Sequence, residues 1–111
     1  NPIALHPMTP VVETMLNQLG GANHIKVMTG ATIAIDDNST TLVFGRQVGR
    51  SGQKLTHLTV SYNAGLDLYD LKATKLNKRT YEFDTVKKLT GVYGDQIKEI
   101  CQNITGLYFT L

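Results

Sequence analysis

Apolar residues recur at helical spacing near both ends of the chain and at a spacing of two between them. In "TPVVETMLNQLGG", Val11, Met15, Leu16 and Leu19 fall on one side of a helix. Thr9 is placed to cap its free amides, and Pro10 fits the first turn, where a missing N–H costs nothing. Gly20 and Gly21 end it, because glycine accepts a left-handed C-terminal cap. The period then becomes two. "HIKVMT" predicts a strand with Ile25, Val27 and Thr29 on one face, and "TIAIDD" another with Ile33 and Ile35 on one face. Asp36 to Thr40 is a dense turn signal, since short polar side chains satisfy turn backbone locally.

"TTLVFGRQV" resumes a strand, which "GRQVGRSGQK" (Gly45 to Lys54) interrupts as a loop. "LTHLTVSYN" sets Leu58, Val60 and Tyr62 opposite His57, Thr59 and Ser61, and Asn63 to Gly65 form a hairpin connection. In "LDLYDLKATKL" each face mixes apolar and polar residues: Leu66, Leu68 and Asp70 on one, Asp67, Tyr69 and Leu71 on the other. That mixture points to a bulge or an edge. "NKRTYEFDTVKK" reads as one more strand or an extended connection. A last helix carries Tyr93, Ile97, Ile100, Cys101 and Ile104 in one stripe, with Gly106 as its cap. "LYFTL" is too apolar for a free tail and predicts a terminal strand or a segment docked in the core. The fold class that follows is α+β: an antiparallel meander sheet of four to six strands, with an N-terminal and a C-terminal helix on one face.

A length of 111 residues suits one domain, residues 1–111, with one core. All three prolines lie in the first ten residues, and Met8 follows a stretch unlike the rest, so Met8 is expected to be the native start and residues 1–7 an extension. Eleven basic residues against nine acidic ones are too mild a surplus to imply nucleic acid by itself. The single cysteine, Cys101, excludes an intramolecular disulfide and favours a reducing cytoplasm. No apolar run approaches the roughly 20 residues that span a bilayer, so no membrane partner is expected. The triplets Asn38-Ser39-Thr40 and Asn103-Ile104-Thr105 are read as chance matches to a glycosylation signal.

Four motifs add a resemblance: Leu19-Gly20-Gly21, Met28-Thr29-Gly30, Leu68-Tyr69-Asp70, and Thr105-Gly106 followed by Tyr108 and Leu111. Together they resemble a widespread family of small proteins, about a hundred residues long, encoded by phages, prophages and other mobile elements. The likeness runs from Met8 to nearly the end of the chain. Departures are Asn63-Ala64-Gly65, where such proteins often carry asparagine-glycine, and Cys101, where phenylalanine is frequent. The resemblance implies a compact phage-type protein acting in the bacterial cytoplasm, and it implies no activity.

Two basic segments are the candidate site. Arg46, Arg50 and Lys54 stand among the glycines of the Gly45–Lys54 stretch, where cations and backbone amides can meet phosphates. It lacks the glycine-lysine pair of a Walker loop, and the structural alternative is a solvated hairpin tip. Between Lys72 and Lys88, six basic residues (Lys72, Lys75, Lys78, Arg79, Lys87 and Lys88) stand against Glu82 and Asp84, with Tyr81 and Phe83 among them. Cations interleaved with aromatics suit a single strand. The alternative is a lysine-protected edge strand with its aromatics in the core. His6, His24 and His57 lack metal spacing and read as surface histidines; Cys101 reads as core, and Asp70 as a structural anchor. No nucleophile–base pair or cofactor loop stands out, so the expectation is a non-enzymatic protein without cofactor. Its first candidate partner is nucleic acid, through Arg46, Arg50, Lys54, Lys72, Lys75, Lys78, Arg79 and Tyr81. The alternative is that the chain binds a host or defence enzyme as its antagonist, and a homodimer could form through an open sheet edge or the apolar C-terminus.

Overall fold

Helix α1 (Pro10–Gln18) starts where its signals lie: Thr9 Oγ1 accepts the Val12 N–H at 3.2 Å, and Pro10 occupies the first turn. The computed structural model describes residues 8–110. The expectations for residues 1–7, His6 among them, and for Leu111 lie outside the described residues. Val12, Met15, Leu16 and Leu19 are buried and Val11 partly so. Gly20 and Gly21 both take positive φ and turn the chain.

The chain then starts a second helix, α2 (Ala22–Thr29), where the alternation in "HIKVMT" had predicted a strand. Six residues with apolar positions two apart also fit a helix if the i, i+4 pair is the buried one. Here Ile25 and Thr29 are buried, while Val27 is 82% exposed. The Thr29 hydroxyl donates to the Ile25 carbonyl at 2.6 Å, and Gly30 closes the helix in the left-handed region, its N–H on the Lys26 carbonyl.

Five antiparallel strands follow in spatial order β1-β2-β3-β4-β5: β1 Thr32–Ile35, β2 Ser39–Val48, β3 Leu55–Asn63, β4 Leu68–Asn77 and β5 Glu82–Val92. A single 3-10 turn (Gly94–Gln96) leads into α3 (Ile97–Thr105). Thr40, Leu42, Leu58, Val60, Leu71 and Ala73 fall on the buried face, in one core with Met15, Ile97, Cys101 and Phe109. Tyr93 precedes α3 and is exposed, so the apolar stripe of that helix starts at Ile97. The tail docks without forming a strand: the Phe109 N–H donates to Gln102 Oε1 at 2.9 Å and the ring is fully buried.

The sheet departs from regular pairing in three places, and two belong to β5. Tyr69 faces Val92 and Leu71 faces Leu89, so β5 spends three residues where β4 spends two. Gly91, at φ 69°, takes up the excess and lets Leu89 and Val92 both turn to the core face. A second bulge at Val86 separates the Ala73–Lys87 and Thr74–Thr85 pairs. The bulge or edge expected of the strand with mixed faces is thus not on that strand: β4 is an inner strand, the extra residues are on β5, and Leu66 and Asp67, which mixed the faces, belong to the turn before β4. The third departure is in β2. Val43 pairs with His57 and Val48 with Leu55, so residues 44–47 arch away from β3. Gly45 to Val48 are thus part of β2, and the connecting loop begins only at Gly49.

Candidate nucleic-acid interface

The arch of β2 opens a groove of about 730 Å³. Its walls are the arch, the start of β3 and the end of β4 with the β4–β5 turn. Phe44 and Val48 are buried at the two ends of the arch and hold it down, while Gly45, Arg46 and Gln47 between them are exposed. Arg46 is also placed from below: a Cβ added at Gly30 would lie 4.0 Å from its Nη1, which sets the guanidinium beside the C-terminus of α2. Carbonyls at a helix C-terminus favour a cation.

Lys75, Lys78 and Arg79 approach from the opposite wall. Asn77 fixes the turn that carries the last two: its Oδ1 accepts the Arg79 N–H at 2.9 Å and its carbonyl the Tyr81 N–H at 2.7 Å. Four cations therefore face the groove, against one acid, Asp84, the cross-strand partner of Lys75. Among the described residues, none of the four cations is held in an ion pair.

His57 lines the groove as well. Its Nδ1 lies 2.8 Å from Thr56 Oγ1, which the Leu76 N–H approaches at 2.9 Å. Burial lowers the His57 pKa below its ordinary value, so the ring is neutral at pH 7. Phe83 packs against it edge-on, with centroids 4.9 Å apart and planes at 88°. Phe83 is 55% exposed and Tyr81, at φ 57° in the turn, is 79% exposed, so neither aromatic is in the core. The edge-strand alternative holds for the lysines of β5 and fails for its aromatics.

Of the eight basic and aromatic candidates, Arg46, Lys75, Lys78 and Arg79 come together, with Tyr81 in the same turn. Arg50 lies elsewhere, in a groove of about 420 Å³ with Lys87 and the α3 residues Ile100, Asn103 and Ile104. Lys54 is engaged in the loop itself, its Nζ donating to the Gly49 carbonyl at 2.8 Å. Lys72 is exposed on the sheet face that no helix among the described residues covers, directly opposite Lys88. His57, read as a surface histidine, was missed as a site residue, while Phe83 and Lys88 lay in the second basic segment without being singled out. His57 and Phe83 come together through the pairing of β3 with β4 and of Leu76 with Phe83.

A third hollow, of about 250 Å³, lies between the start of α1 and the β3–β4 turn. There the Tyr62 hydroxyl donates to Asp67 Oδ1 at 2.6 Å, which with desolvation raises the Tyr62 pKa. Burial pushes the Cys101 thiol up to about 12, which leaves it protonated. Among the described residues no group of three or more His, Cys, Asp or Glu could hold a metal ion, and no helix is long and apolar enough to cross a membrane. Comparison of the chain with protein-family models, with curated proteins and with solved structures finds no match.

Proposed function

We propose that this protein binds nucleic acid by its phosphates in the β2 groove, as a non-enzymatic accessory protein of the phage or mobile-element setting that the sequence resemblance implies. Under this reading it acts in the bacterial cytoplasm. One observation carries the reading: two basic segments about thirty residues apart in sequence meet around one groove, as Arg46 on one side and Lys75, Lys78 and Arg79 on the other. Unpaired cations on facing walls repel one another, and a polyanion between them removes that repulsion. Binding of this kind neutralises phosphates and reads little sequence.

The open edge of β5 favours a protein partner instead, through strand addition. Two bulges and exposed lysines mark that edge, and these are the usual protections against such pairing. The groove is the better supported site.

The test is fluorescence anisotropy with short labelled DNA and RNA at about 50 and about 200 mM salt, where phosphate contacts cost orders of magnitude in affinity. Arg46→Ala combined with Lys78→Ala and Arg79→Ala should abolish binding. Arg50→Ala, in the other groove, should leave it nearly intact. Absence of binding at the lower salt rules out the reading, and so does a triple variant that binds like the wild type.

A further inference from the structure

Among the described residues no helix covers the sheet face turned away from α1 and α3, and the groove opens beside it. Across the strands this face carries Thr41, Thr59, Lys72 and Lys88 in one row, with Val43, His57, Thr74 and Thr85 in the next. The second row includes two groove residues, Val43 and His57. The lysine row therefore lies two residues, about 7 Å, from the groove.

Two features of the face are hard to explain as packing. Lys72 and Lys88 are direct cross-strand partners, and like charges placed opposite each other destabilise a sheet. Edge protection accounts for a lysine on β5 but not for its partner on β4, which is an inner strand. Phe83 is more than half exposed although Leu76 is its cross-strand partner and the His57 ring packs against it edge-on. An exposed ring on a face that also carries cations is a stacking platform for an unpaired base.

We infer that the groove and the uncovered sheet face form one track for a single-stranded nucleic acid, with a base stacked on Phe83 and the following backbone carried by Lys72 and Lys88. The inference rests on the groove reading and adds strandedness to it. A duplex offers the groove its phosphates but keeps its bases paired, so the Phe83 contact is available to a single strand only. Asp70, on the same face two residues beyond Lys72, opposes phosphate and marks the end of the track.

The experiment compares a labelled oligothymidylate of about a dozen nucleotides with a hairpin duplex of equal charge, bound to the full chain at about 50 mM salt. The single strand should bind more tightly. Phe83→Ala should weaken it by roughly five- to a hundred-fold and leave the duplex unchanged. Phe83→Leu keeps an apolar side chain in place and should give the same result, which separates stacking from any effect on folding. Equal affinity for both ligands, or a Phe83→Leu variant that binds the single strand like the wild type, overturns the track and leaves the groove reading standing. Failure of the wild type to bind either ligand removes both.

Discussion

Replacing Lys72 and Lys88 together with glutamine separates a functional lysine pair from a protective one, because the two roles predict opposite outcomes. The two side chains are exposed and directly opposed across β4 and β5. Taking the charge off such a pair should stabilise the sheet by about 0.2–1 kcal/mol. For a domain of this size that raises Tm by a few degrees at low salt. Binding should move the other way. Each phosphate neutralised on a single strand adds about −0.7 to the slope of log K against log salt. With Arg46, Lys75, Lys78, Arg79, Lys72 and Lys88 engaged, the slope is about −4.2. The double variant keeps four contacts and a slope of about −2.8. Between 50 and 200 mM salt the wild type then loses about three-hundred-fold in affinity, and the variant only about fifty-fold.

The assay is anisotropy against a single strand at four or five salt concentrations, paired with urea unfolding of both proteins at low salt. A variant that is more stable, binds more weakly and has the shallower slope fits the reasoning. An unchanged slope refutes it, because the lysines would then touch no phosphate. A loss of stability refutes the claim that the pair is an unrelieved repulsion.

Three further outcomes test the packing and the titrating groups. Thr40 is fully buried and, among the described residues, its hydroxyl has no hydrogen-bond partner, so Thr40→Val should raise stability by about 1 kcal/mol in urea unfolding. Cys101 is buried with its pKa pushed up to about 12, so Ellman's reagent should modify it at pH 8 only as fast as the protein unfolds, and rapidly in denaturant. His57 has its pKa lowered by burial in the folded state, so above pH 6.5 the ring is neutral folded or unfolded and its contribution is fully present. As the pH falls below 6.5 the unfolded chain binds a proton that the folded chain resists, and stability declines until the folded-state pKa is passed. His57→Gln should therefore lose less stability than the wild type between pH 7.5 and pH 5.5, measured by urea midpoints.

Strand β3 and helix α1 were legible because local signals and burial agree in them. Leu58 and Val60 alternate with His57 and Thr59 over a regular register, and Thr9, Pro10 and the two glycines punctuate α1 where the chain turns. Helix α2 was not legible, because eight residues with one buried i, i+4 pair carry too little period to separate from alternation. β5 resisted for a different reason. Its bulge at Gly91 brings Leu89 and Val92, three residues apart, to the same face, which a period of two forbids, and a second bulge at Val86 breaks the alternation again. The cations of the site were visible as two runs, but which of them meet was not. Arg46 and Arg50 are four residues apart, yet one lines the β2 groove and the other faces α3, because β2 continues through Gly45–Val48 and the chain turns only after it.

The groove exists because the sheet fails locally, and what holds that failure in place is buried. The β2 arch is pinned by Phe44 and Val48 and then by Gly49, whose φ of 105° is a conformation side chains rarely adopt. A Cβ there would meet the Gln53 carbonyl oxygen at 2.9 Å, Leu55 Cδ2 at 2.9 Å and the Ile104 carbonyl oxygen at 3.1 Å. The loop after the arch is thus clamped between β3 and α3, with Lys54 closing it on the Gly49 carbonyl. Gly49, which read at first as part of a phosphate-contacting loop or a solvated hairpin tip, instead fixes where the arch ends. Arg46 projects from a held segment rather than a flexible tip, so the backbone that carries it is in place before any ligand arrives and mainly the side chain has ordering entropy to lose on binding. The position that sets the geometry of the site is therefore Gly49, which does not line the groove, and the side chains that act on a phosphate stand on the arch it anchors.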